Sequence, residues 1–75
     1  MNQKLRKELT KISDQISDLL GRIEEIKDEE QEKYDNLPEN FQSSSKGEEY
    51  EENVSNLEEV IDSIQSGLDS LGMVC

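Results

Sequence analysis

Two apolar stripes, each stepping alternately by four and by three residues, constrain this chain more than any other feature. The first is Leu5, Leu9, Ile12, Ile16, Leu19, Ile23 and Ile26; the second is Tyr50, Val54, Leu57, Ile61, Ile64, Leu68, Leu71 and Cys75. Such steps hold side chains on one face of an α-helix, whereas a strand would need steps of two. Each stripe is a narrow seam of the kind one helix offers another. The fold class that follows is all-α: an antiparallel two-helix hairpin that assembles into an oligomeric helical bundle.

Residues 1–75 read as a single domain, with helix 1 over about 2–36, a loop over about 37–46 and helix 2 over about 46–72. Asn2 is placed to cap the first helix. Pro38 biases Leu37 out of the α region and ends that helix, and at N1 it can open a short turn as far as Gln42. Ser45 and Glu48 have the spacing of a capping box that starts helix 2, and Gly72 stops it. Glu30 and Lys33 fall where the first seam should continue, so apolar contact is expected to pass to Tyr34 and Leu37. Gly67, beside the second seam, suggests close helix approach. The antiparallel arrangement is expected to bring Lys4, Arg6, Lys7 and Lys11 near Asp62 and Asp69.

A chain this short buries little surface and needs a staple. With Cys75 its only cysteine and no histidine, an internal disulfide is excluded and a structural zinc site is disfavoured. Self-association is the remaining source of stability. A dimer is favoured and a trimer satisfies the same pattern, with an interface of Leu9, Ile12, Ile16, Leu19, Ile23, Ile26, Val54, Leu57, Ile61, Ile64, Leu68 and Leu71. No long apolar run suggests a membrane span, and a lone thiol fits a reducing cytosol, so a cytoplasmic protein is expected.

The net charge of −11 is unevenly spread. Residues 1–11 carry four basic groups against Glu8, while residues 24–52 carry twelve acids against Lys27, Lys33 and Lys46. That field disfavours direct nucleic-acid binding and favours a protein partner with a basic surface. Without histidine the usual nucleophile and base pairs are missing, so no enzymatic activity and no cofactor are expected. Asp28 with Glu32, and Glu25 with Glu29, share helical faces in carboxylate pairs that suit Mg²⁺ or Ca²⁺. They lack the spacing of a calcium loop and read as a solvated acidic surface.

The aromatics Tyr34, Phe41 and Tyr50 gather at the break. They either close a small core with Leu37 or form a recognition patch. Acids also crowd the end of helix 1, against its dipole. This end is the candidate partner-binding site, comprising Glu30, Lys33, Tyr34, Asn36, Leu37, Asn40, Phe41, Glu48, Glu49, Tyr50, Glu51 and Glu52. Polar residues here, including Gln42, Ser43, Ser44 and Lys46, could also line a small-ligand pocket between protomers, with Arg22, Lys27 or Lys33 reaching a phosphate.

The run from Ile26 to Gln42, with Asp35-Asn36-Leu37-Pro38-Glu39 as its turn, is followed by a serine step, Lys46-Gly47-Glu48, and a helix with Asn-Leu-Glu-Glu and Ile-Asp-Ser-Ile blocks. On these residues the segment from Ile23 to Leu71 resembles short acidic helical-hairpin proteins of tailed bacteriophages and prophages. The resemblance implies two helices about a turn and a phage context, with no fixed activity. Phage proteins of this size often inhibit host machinery or host defence, some by binding a protein and others by sequestering a nucleotide signal. The expectation is a non-enzymatic binding protein that inhibits a host or defence protein through its acidic loop end. The alternatives are an oligomeric sponge for a small nucleotide signal and a structural coiled-coil module.

Overall fold

The computed structural model describes all residues from Met1 to Cys75. Helix α1 spans Gln3–Asp35, a short α2 spans Glu39–Gln42, and α3 spans Ser45–Gly72. The two long helices pack side by side as an antiparallel hairpin, a rod of 59 × 15 × 12 Å. There is no strand, and no helix is long and apolar enough to cross a membrane.

The helix ends follow from local chemistry. The Asn2 side chain accepts a hydrogen bond from the Leu5 N–H at 2.9 Å, satisfying one of the free amides of the first turn. Pro38 is the residue before α2 rather than its first helical residue. Its carbonyl accepts from the amides of Phe41 and Gln42 at 2.8 and 3.2 Å. The cap of α3 is Ser44, one residue earlier than the expected Ser45, and its hydroxyl accepts from the Gly47 N–H at 3.5 Å. The expected box with Glu48 therefore does not form. Gly47 takes its place because it is pressed against the Gln42 carbonyl, where only a residue without a Cβ fits. Gly72 is the last residue of α3, and no residue in the chain has a positive φ.

Within the hairpin, packing uses only part of the first seam. The residues of α1 that lose solvent are Leu9, Ser13, Ile16, Leu20, Ile23, Lys27, Glu30 and Tyr34, in alternating steps of four and three, together with Gly21. Leu20, outside the expected seam, is one of two buried apolar side chains; the other is Val54 of α3. The expected members Leu5, Ile12, Leu19 and Ile26 remain 46, 45, 53 and 54% exposed. The stripe on α1 is thus three columns wide. The column of Leu9, Ile16 and Ile23 is shared, Leu20 and its neighbours turn to α3, and the third column is left open. On α3, Tyr50, Leu57, Ile61, Ile64, Leu68 and Leu71 are half-buried as expected, while Val60 is exposed.

The register is fixed by two observations. The Asn53 amide donates to the Glu30 carboxylate at 3.2 Å, and Ile16 borders a cleft with Ile64, Gly67, Leu68 and Leu71. Asp62 consequently lies beside Glu24, Lys27 and Asp28, not near the basic first turns. Lys4, Arg6, Lys7 and Lys11 form no ion pair; the pairs present are Lys27–Asp28, Lys33–Glu30 and Lys46–Glu49. Nor does Gly67 mark a close approach within the hairpin, since a Cβ there would meet nothing within 4 Å.

The acidic loop end as candidate functional site

The break is an ordered turn held by its own hydrogen bonds. The Gln42 side-chain amide donates to the carbonyls of Tyr34 and Leu37 at 3.4 and 3.3 Å. It thereby ties α2 to the end of α1, adding to the Leu37 N–H bond that the Tyr34 carbonyl already accepts at 3.1 Å. The Ser44 hydroxyl donates to the Phe41 carbonyl, and the Ser44 N–H reaches the same carbonyl at 3.1 Å. Gly47 is buried beneath this turn.

This frame separates the three aromatics. Tyr34 and Tyr50 are half-buried, as is Leu37. Phe41 is more open: it is 53% exposed. Around it Asn36, Asn40, Glu48, Glu49, Glu51 and Glu52 are all exposed. The Lys46 ammonium stands 5.1 Å from the centre of the Tyr50 ring and 3.6 Å from Glu49, a cation–π contact that keeps one of the few bases of this end engaged.

Glu30 and Lys33, which interrupt the apolar pattern, have separate roles. The Glu30 side chain is only 18% exposed and links the two long helices through Asn53, while Lys33, 58% exposed, sits 3.1 Å from it. The Asn53 amide and then the Lys33 ammonium hold the Glu30 carboxyl below the usual carboxylate range. The same pairing raises the Lys33 ammonium. The Tyr34 hydroxyl is pushed up chiefly by the Glu51 carboxylate beside it. A hydrogen-bond donor and a cation favour the ionised Glu30, and a neighbouring anion disfavours the Tyr34 phenolate.

No three carboxylate, histidine or cysteine side chains converge as a metal-binding group would require. The surface clefts are open. Two lie along one broad side of the rod and are lined by acids, including Glu24, Asp28, Glu51, Glu58 and Asp62. Of the three bases proposed to reach a phosphate, Lys27 and Lys33 are paired with carboxylates and Arg22 has no ion-pair partner. The fold and this end together define an acidic, all-helical hairpin. No protein-family model matches the chain, and no curated protein or solved structure matches it.

Proposed function

We infer that this chain is a non-enzymatic binding protein whose acidic loop end engages a basic surface on a protein partner. The observation that carries the reading is the exposed Phe41 ring. It stands on a turn pinned by Gln42 and Gly47, at the end of the rod where exposed Glu48, Glu49, Glu51 and Glu52 outnumber the one nearby base, Lys46. A rigid aromatic costs little entropy to bury, and a surrounding acidic field steers a basic partner and fixes its orientation. The resemblance to phage proteins makes a bacterial host or defence protein the first candidate, and inhibition the expected outcome. A nucleotide sponge is the weaker alternative, because acids line the clefts that a phosphate would have to enter.

The test is affinity capture from a bacterial lysate with the wild-type chain and two folded variants. Replacing Glu48, Glu49, Glu51 and Glu52 together with Gln should weaken capture of a basic partner and flatten its salt dependence. Phe41→Ala should weaken it by about 2 kcal/mol, the scale of an interface anchor. If both variants keep helicity and bind at full strength, the loop end is not the contact surface.

A further inference from the structure

The rod has two unlike sides. One is lined by the acids just described. The other carries the open column Leu5, Ile12, Leu19 and Ile26 of α1, flanked by Val60 and Gly67 of α3 and by Val74 in the turn after it. The four α1 side chains are about half exposed, and Val60 and Val74 are 42 and 41% exposed. Together they present on the order of 400–500 Å² of apolar surface, the range of the largest and often functional patch on a protein surface.

Columns of equal steps can each pair with their own reverse, and the level at which they do so is set by their exposed apolar members. Leu5, Ile12, Leu19 and Ile26 are spaced evenly about a midpoint between Gln15 and Ile16. Val60, Gly67 and Val74 are spaced evenly about Gly67. The fold sets these midpoints side by side, since Ile16 and Gly67 border the same cleft. A two-fold axis across the rod at that level would superpose each column on its own reverse, as a self-complementary interface demands.

Charge repeats the pattern. The column next to the open one on α1 holds Glu8, Gln15, Arg22 and Glu29, with Gln15 midway between Glu8 and Arg22. Reversing one copy over another sets Glu8 of each against Arg22 of the other. A side-by-side arrangement with like ends together would instead crowd two acidic loop segments, each twelve acids against three lysines.

We propose that a second copy of this chain seats on the Leu5–Ile12–Leu19–Ile26 side in antiparallel orientation, with a two-fold axis passing near Ile16 and Gly67. Helix α1 then lies against α1 of the partner and α3 against α3, forming a four-helix bundle. Gly67, which has no side chain to hold the α3 helices apart, sits on the axis. The two acidic loop ends project from opposite ends of the bundle, so the assembly is bivalent.

Two measurements test this on the full-length chain. Sedimentation equilibrium should give a dimer. The single variants Glu8→Arg and Arg22→Glu should each weaken it about tenfold, and the double variant should restore it. Glu8 and Arg22 lie about 20 Å apart along one helix, too far to couple within a chain, so restoration can only come from the partner. Spin labels on Ser43→Cys in a Cys75→Ser background should report a separation on the order of 60–70 Å, against under about 30 Å for like ends together. A monomer, a trimer, a short label distance or a double variant as weak as the sum of its singles would overturn the proposal.

Discussion

Gly47→Ala should disable the turn that carries the candidate site. A Cβ at residue 47 would lie 2.0 Å from the Gln42 carbonyl oxygen, 2.5 Å from its carbon and 2.8 Å from its Cα. All three are backbone atoms, so no side chain can swing aside. The first turn of α3 must shift to make room. That motion strips the Ser44 cap from the Gly47 N–H and disturbs the Gln42 bonds to Tyr34 and Leu37. Overpacking of this kind costs about 1–3 kcal/mol, and loss of a cap about 1 kcal/mol. Alanine returns up to ~1 kcal/mol of helix propensity, leaving a net loss of about 2 kcal/mol. For a domain of this size that is a fall in melting temperature of roughly 8–16 °C. The assay is thermal unfolding by circular dichroism at one fixed protein concentration. Gly21→Ala is the control, because a Cβ there meets nothing within 4 Å; it should gain up to about 1 kcal/mol. A Gly47→Ala protein that melts at or above the wild-type temperature would refute the reasoning.

Leu20→Ala should cost about 2–4 kcal/mol in urea unfolding, as expected for a buried leucine that is 5% exposed; a loss under about 1 kcal/mol would mean that α1 faces α3 by another column. Ile16→Asp sets a carboxylate between the two long helices and should cost about 3 kcal/mol or more, so unchanged helicity would mean that Ile16 does not face α3. Glu30 has a lowered pKa, so its link to Asn53 adds stability above the ordinary carboxylate value of 4.5 and loses it as pH falls through the lower folded value. The stability gap between wild type and Glu30→Gln, followed by melting at a series of pH values, should therefore be widest near neutrality and close below about pH 4.

The helices, their break and the charge layout were legible in the sequence because each rests on neighbours along the chain. Steps of four and three can only be helical, Asn2 needs only the next turn to cap it, and Pro38 acts on Leu37 by local sterics. The acidic loop end was legible for the same reason: two helices with one break must bring their flanking residues together. Tertiary structure decided how α1 is rotated about its own axis. Leu19 and Leu20 are adjacent and equally apolar, so periodicity alone permits either to face inward; the helix opposite buries Leu20 and leaves Leu19 out. The close fit of Gly47 on Gln42 moved the cap from Ser45 to Ser44. The turn left Phe41 exposed while Tyr34 and Tyr50 became half-buried. A stripe along one helix fixes which residues share a face, whereas the direction that face takes is a property of two helices in contact.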